Sequence, residues 1–329
     1  MFLTALKDGV LRGLRTALML LRIMIPIYLG VVLLRHTGLF LWIAGIIEPV
    51  MRIFGLPGKA VVPLIVGAFS DEYAVVAAMS GLSFGAAQIT IIAMIALAFH
   101  TLPLETALTI KIGMPALRIA LYRLGFAVFT GIVCAYLAAV FLGGDLPAFS
   151  AGAGAVADPG TVTAASGTGL PPGGAIFNAG WDVILPEMGL GVLTVVFNLL
   201  RVIVPLMIVI ELLLAYRLIE AAAKKLTPLC RLFGIGQNAL LPLLVGLLLG
   251  VTYGAGTIAE LNRVKPLSER DMALLGVFLF SCHGIIETTY LFTLAGGNVF
   301  FLSAVRLAIA VGITALAARI LPQTFRRKL

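Results

Sequence analysis

The side chains in this sequence with most to offer chemically are few, and they come in echoes. Arg22 and Arg201 each stand four residues before a proline, in the matching runs LLRIMIP (20–26) and LLRVIVP (199–205). His100 with Glu105 is answered by His283 with Glu287, and Cys282 adjoins the second histidine. All lie in or beside long apolar runs. A charge at membrane depth costs about 2.5–3.5 kcal/mol on insertion scales, so both arginines are expected to face the protein interior. There they would form a gating or anion-binding pair, or a structural ion pair with Asp71, Glu72 or Glu211; snorkelling to an interface is the third reading. Histidine and glutamate take up and release protons, and histidine ligates metals. The set therefore reads as proton-coupling groups at the midplane, as hydrogen-bonded packing, or as metal ligands (His100, Glu105, Cys282, His283 and Glu287). His283 and Glu287, at i and i+4, share a helix face, whereas His100 and Glu105, at i and i+5, need Pro103 to distort the turn.

A second group of polar residues interrupts the apolar stretch LPGKAVVPLIVGAFSDEYAVVAAMSG (56–81). Its two arms, about 58–68 and 72–80, each reach about 15 Å, half the thickness of the hydrocarbon. A re-entrant helical hairpin fits better than two spans. Ser70, Asp71 and Glu72 at its tip can bind a solute. They can equally cap the second arm, since an oxygen satisfies free amides and acids suit the positive helix end. A second interrupted stretch follows at 235–263, broken at Gly250–Gly254, where Thr252 and Tyr253 offer hydroxyls to a solute or simply turn the chain. In lipid, such interruptions persist only where protein or a watery cavity surrounds them, and in pairs they point to a transport site.

These elements sit in a chain of 329 residues that is 61% hydrophobic and 12% charged, with a mean hydropathy of +1.11. A soluble domain is excluded, and an all-α polytopic membrane protein is expected. The net charge of +8 comes from basic residues at the ends of apolar runs, which reads as topology rather than nucleic-acid binding. Cys134, Cys230 and Cys282 are too dispersed for a disulfide framework. Sequence motifs for catalysis (GxSxG, HExxH, a Walker loop) are missing, so neither an enzyme nor a cofactor is expected.

Along the chain, a short interfacial helix (1–12), a first span (13–34), an interfacial helix (38–54), the hairpin, and spans at 85–108 and up to 142 make a first repeat, 1–142. A basic loop with Lys111, Arg118 and Arg123 separates its last two spans. Residues 143–188 form a Gly/Ala/Pro-rich linker. The second repeat, 189–329, has spans at about 189–216, 271–292 and 299–320 around the second hairpin. Arg118 and Arg306 form a looser pair near the starts of the last spans, where interfacial anchoring is expected, for Arg118 above all. Shifting by 179 residues also aligns Pro49 with Pro228, RIFG (52–55) with RLFG (231–234) and VVPLIVG (61–67) with LLPLLVG (240–246). Arg, Pro and Gly in register indicate an internal repeat. An odd number of crossings per half makes the repeats inverted. Residues 35–59 hold three Lys or Arg and 217–270 hold seven, the asymmetry that inversion predicts. Both termini are then cytoplasmic, in a cell (inner) membrane.

The runs FGLPGKAVVPLIVGAFSDEYAV (54–75) and FGIGQNALLPLLVGLLLG (233–250), with their flanking spans, resemble the Gate, or nucleoside recognition, family. Its members include the membrane part of ferrous iron transport protein B, spore maturation proteins A and B, and a segment of concentrative nucleoside transporters. The resemblance spans roughly 15–140 and 190–320 and implies a transport-like core with hairpin tips near the substrate. Unlike the iron transporter, this chain carries no GTPase domain before the permease, and it lacks the full scaffold of a nucleoside transporter. The resulting expectation is a bilayer-embedded permease for a small polar solute, anionic or nucleoside-like, with a site between the repeats. Its alternatives are a divalent metal permease and a non-transporting structural subunit. A homo-oligomer is left open.

Overall fold

The computed structural model describes residues 2–102, 116–143, 179–225, 235–248, 250 and 267–321, all helical or in short connections. Glu105, Thr252, Tyr253 and nearly all of the linker lie outside these residues. The chain is an all-α polytopic membrane protein, with five helical stretches among the described residues long and apolar enough to cross a bilayer. Its helices are α1 (Phe2–Arg35), α2 (Gly38–Arg52), α3 (Val61–Phe69), α4 (Glu72–Ser80), α5 (Ala86–Phe99), α6 (Ala116–Leu142), α7 (Trp181–Ala215), α8 (Leu218–Lys225), α9 (Gln237–Leu248), α10 (Glu269–Ser281), α11 (Ile285–Leu294) and α12 (Arg306–Ile320). A π-helical segment, Phe301–Val305, leads into α12.

The longest pair, α1 and α7, packs antiparallel along its length. Small residues permit this: a Cβ on Gly9 would come within 2.6 Å of the Ile208 Cα, and one on Gly13 within 3.0 Å of the Val204 Cα. Near the other end Gly191 leaves room for the Tyr28 ring, whose hydroxyl a Cβ would strike. Ion pairs fasten both ends, Arg12 with Glu211 at 2.5 Å and His36 with Glu187 at 2.9 Å. The buried stripes run Ala17, Leu20, Met24, Tyr28 on α1 and Val195, Leu199, Ile203, Leu206, Ile210 on α7, which is helical spacing. Arg22 and Arg201 each fall two residues from neighbours on those stripes, on the opposite side of the helix. Both are accordingly exposed, which corrects the expectation that they face inward. Glu211, one of their expected partners, is held by Arg12 instead.

The first hairpin is present as two nine-residue arms, α3 and α4. Its turn differs from expectation by one residue. Asp71, not Ser70, is the N-cap of α4 and accepts from the Ala74 N–H at 2.9 Å, while Ser70 ends α3 in an extended conformation. Pro57 and Gly58 bring the chain from α2 into the hairpin, and the Gly58 N–H donates to the Glu48 carboxylate. Where the second hairpin is expected, α9 is described; the expected tip at Thr252 and Tyr253 and the second arm are outside the described residues.

Other boundaries shift for identifiable reasons. The expected interfacial helix 1–12 and span 13–34 are one helix, because nothing between them breaks the pattern. The second half begins within the expected linker, at Trp181, with Asp182 in the first turn where the helix end favours an acid. The spans expected at 85–108 and 271–292 are both broken, at His100–Thr101 and at Cys282–Gly284. Arg123, assigned to a basic loop, lies well inside α6, and Arg306, expected as an anchor, is buried at the start of α12.

Candidate functional site

The two breaks meet at the centre of the molecule and are built alike. In the first, α5 stops at Phe99, and the Thr101 N–H turns away to the carbonyls of Gly67 (3.0 Å) and Ser70 (2.8 Å) at the end of the hairpin's first arm. In the second, α10 stops at Ser281, and the Gly284 N–H reaches the Gly246 carbonyl of α9 at 3.1 Å. Thr101 and Gly284 both adopt left-handed backbone, φ 48° and 56°. Each break frees carbonyls that no water in hydrocarbon would satisfy. An arginine supplies the donors in both cases. Arg123 donates to the carbonyls of His100 (2.9 Å) and Ala98 (3.3 Å). Arg306 donates to the carbonyl of His283 (3.1 Å) and to the Thr288 hydroxyl (2.8 Å). The π-helical segment just before Arg306 leaves the Leu302 carbonyl to accept from the Thr289 hydroxyl at 3.1 Å. Such bulges re-aim a side chain, here the arginine that follows.

The breaks bring two imidazoles together, their planes tilted by 43°. His100 Nε2 and His283 Nε2 are 3.3 Å apart, and their rings are 5.1 Å between centroids. His283 Nδ1 lies 2.8 Å from the Leu279 carbonyl. A carbonyl only accepts, so Nδ1 carries the proton, and in the neutral ring Nε2 is left as an acceptor. His100 Nε2 then carries its proton toward His283, with the Glu72 carboxylate 3.5 Å away on the same nitrogen. One turn along the chain from His283, Glu287 accepts from the Tyr73 hydroxyl. Hydrogen bonds thus join the hairpin tip to both broken helices: Glu72 and Tyr73 from α4, His100 from the end of α5, and His283 and Glu287 from the second break. The burial is deep, with Tyr73 4%, His100 3%, His283 5%, Arg123 0% and Arg306 3% exposed.

Of the residues singled out from sequence, the structure gathers Glu72, His100, His283 and Glu287. Asp71 caps α4, Ser70 sits in the turn, and Cys282 is buried beside His283. Arg22 and Arg201 are on exposed faces of α1 and α7, and Glu105, Thr252 and Tyr253 are outside the described residues. Three participants escaped the sequence reading: Tyr73, Arg123 and Arg306. For the arginines a signal existed. Arg123 and Arg306 stand 183 residues apart, the separation of His100 and His283, and each lies 23 residues beyond its histidine. Among the described residues no group of three His, Cys, Asp or Glu is arranged to hold a metal ion.

A pocket of about 400 Å³ lies beside this centre, between α1, α4, α7 and α11. Its walls are mostly apolar, with Ser80, Ser83, Thr194 and Asn198 as the polar exceptions. Its size falls within the range of small-molecule sites.

The family described as nucleoside recognition, or Gate, matches residues 17–143 and 196–297. The uncharacterized membrane protein YvoD of Bacillus subtilis (strain 168) is 30% identical over 306 residues, covering 93% of this chain and 91% of YvoD. No solved structure matches the chain. The matched segments contain the hairpin, both breaks and both histidines, and the chain belongs to the Gate family of membrane proteins.

Proposed function

We propose that the protein is a permease for a small polar solute, and that the solute meets the chain at the paired helix breaks. One observation carries this reading: two helices stop within the bundle at a cluster of two buried imidazoles, a buried phenol and two half-buried carboxylates. Backbone irregularity at membrane depth is tolerated where it lines a site, and ionisable groups there are rare outside transport and proton relays. The antiparallel course of α1 and α7, whose sequences align in the repeat, supports an inverted arrangement of the halves with the site between them. The Glu72, His100 and His283 chain is suited to carry a proton alongside the solute.

The anionic part of the expectation rested on Arg22 and Arg201, which are exposed. The buried arginines are engaged with helix ends, and the centre itself offers carboxylates, imidazoles and a phenol. A neutral, nucleoside-like solute fits this chemistry better than an anion. A divalent cation as cargo is a second reading, favoured by the 3.3 Å approach of the two histidine nitrogens with a carboxylate beside them. Uptake by vesicles reconstituted with the purified chain decides between them. Nucleosides, organic anions and divalent metals are compared, with Glu72→Gln and Glu287→Gln vesicles as matched controls. Accumulation of a neutral solute that both variants abolish supports the first reading; metal uptake with the same sensitivity supports the second; anion uptake in the variants at the wild-type rate would sink both.

A further inference from the structure

Two of the helices that line the pocket, α4 and α11, also carry residues of the histidine cluster. On α4, Tyr73, Val76 and Ser80 follow at i, i+3 and i+7, one face of the helix. On α11, Glu287, Leu291 and Leu294 do the same at i, i+4 and i+7. Val76, Ser80, Leu291 and Leu294 line the pocket. Tyr73 and Glu287, one turn deeper on the same two faces, are bonded to each other. Glu72, next to Tyr73 on α4, and His283, one turn from Glu287, both contact His100.

The pocket has its own chemistry. No charged side chain lines it. The Ser80 and Thr194 hydroxyls already donate to the Val76 and Leu190 carbonyls, at 2.8 and 2.9 Å, which leaves their lone pairs as acceptors. Asn198 and these hydroxyls are exposed on the open side of the pocket, and the Asn198 amide makes no hydrogen bond among the described residues. The lining therefore suits an uncharged solute with an apolar body and hydrogen-bond donors at its edge.

We infer that this pocket is a vestibule for a neutral polar solute, and that the Tyr73–Glu287 hydrogen bond is the barrier between it and the histidine pair. The inference rests on the permease reading, but its test reads access rather than transport. The probe is diethyl pyrocarbonate, a small neutral reagent that acylates imidazoles, applied to the purified full chain with each histidine followed by peptide mass spectrometry. His36, half-buried at the end of α1, is the reference. In Tyr73→Phe, modification of His100 and His283 is expected to run about tenfold faster than in the wild type, the shift in an opening equilibrium when one bond to a carboxylate is lost. His36 stays unchanged. Adding Ser80→Trp, which fills the pocket, removes the gain. Glu287→Ala reproduces the Tyr73→Phe pattern should that variant fold poorly.

Equal rates in the wild type and both single variants would overturn the barrier, and so would a gain that survives Ser80→Trp. Alkylation of Cys134, buried in the α5–α6 core, rising in step with the histidines would also overturn it, since a loosened fold exposes both. A chain that transports no tested solute can still give the expected pattern, so failure of the permease reading is distinguishable from failure of the barrier.

Discussion

The two breaks share a frame and differ in chemistry. Each breaks a helix beside a histidine, bonds the backbone N–H after that histidine to a neighbouring short helix, α3 or α9, and sets an arginine 23 residues further on against the histidine's carbonyl. The acids are distributed differently. Among the described residues, those of the first half are on the hairpin tip, at Asp71 and Glu72, and that of the second is Glu287, on the helix after the break. The backbone differs too, because the left-handed position is a glycine at 284 but a threonine at 101.

The largest expected effects test the shared frame. Arg123→Leu strands the carbonyls of Ala98 and His100, and Arg306→Leu strands the His283 carbonyl and the Thr288 hydroxyl. Each is expected to lower stability by about 2–4 kcal/mol, since a buried acceptor left unsatisfied costs about 1–3. Unfolding in detergent measures both, and a large loss at only one of them would break the likeness. Next come the acids: Glu72→Gln and Glu287→Gln should each cut solute uptake about tenfold or more through loss of a charge-assisted contact. Uptake that depends on only one acid would mean that one half alone carries the chemistry.

Backbone substitutions sharpen the comparison with opposite signs. Gly284→Ala should destabilise by about 1–2 kcal/mol, the cost of left-handed backbone for a residue with a Cβ, whereas Thr101→Gly should relieve a penalty of similar kind. Thermal unfolding distinguishes them by the direction of the shift. The smallest effect is expected at the outer faces. Arg22→Gln and Arg201→Gln should change stability within about 0.5 kcal/mol and leave uptake at the wild-type rate. A loss of uptake there would restore an inward role for the pair.

Much of the frame was legible from residue order. Half-length arms around Ser70, Asp71 and Glu72 announced the hairpin, and the matched separations of the histidines drew attention to both breaks. The breaks themselves were hidden. The stretch from Ala86 through His100 is apolar and without glycine, so it reads as one span; Thr101 leaves the helix because carbonyls of the hairpin and a guanidinium from α6 hold it there. Those partners are more than 20 residues away in sequence, beyond the reach of any local pattern. Arg123 read as part of a basic loop for the same reason, since depth is fixed by packing rather than by neighbouring residues. Arg22 was open to a better reading. Leu20 and Met24 on either side form the apolar stripe, which leaves residue 22 on the outer face.

The glycine contacts between α1 and α7 carry a mechanical consequence. Backbones that touch at Gly9 and Gly13, with a tyrosine seated over Gly191, have no slack to rotate about their own axes. Sliding by one turn, about 5.4 Å, would bring side chains where only hydrogen fits. The pair therefore behaves as a rigid mast running the height of the molecule. Relative movement within the fold is then left to the α3–α4 hairpin and the broken helices, and the mast's outer surface is where a label can be attached without disturbing it.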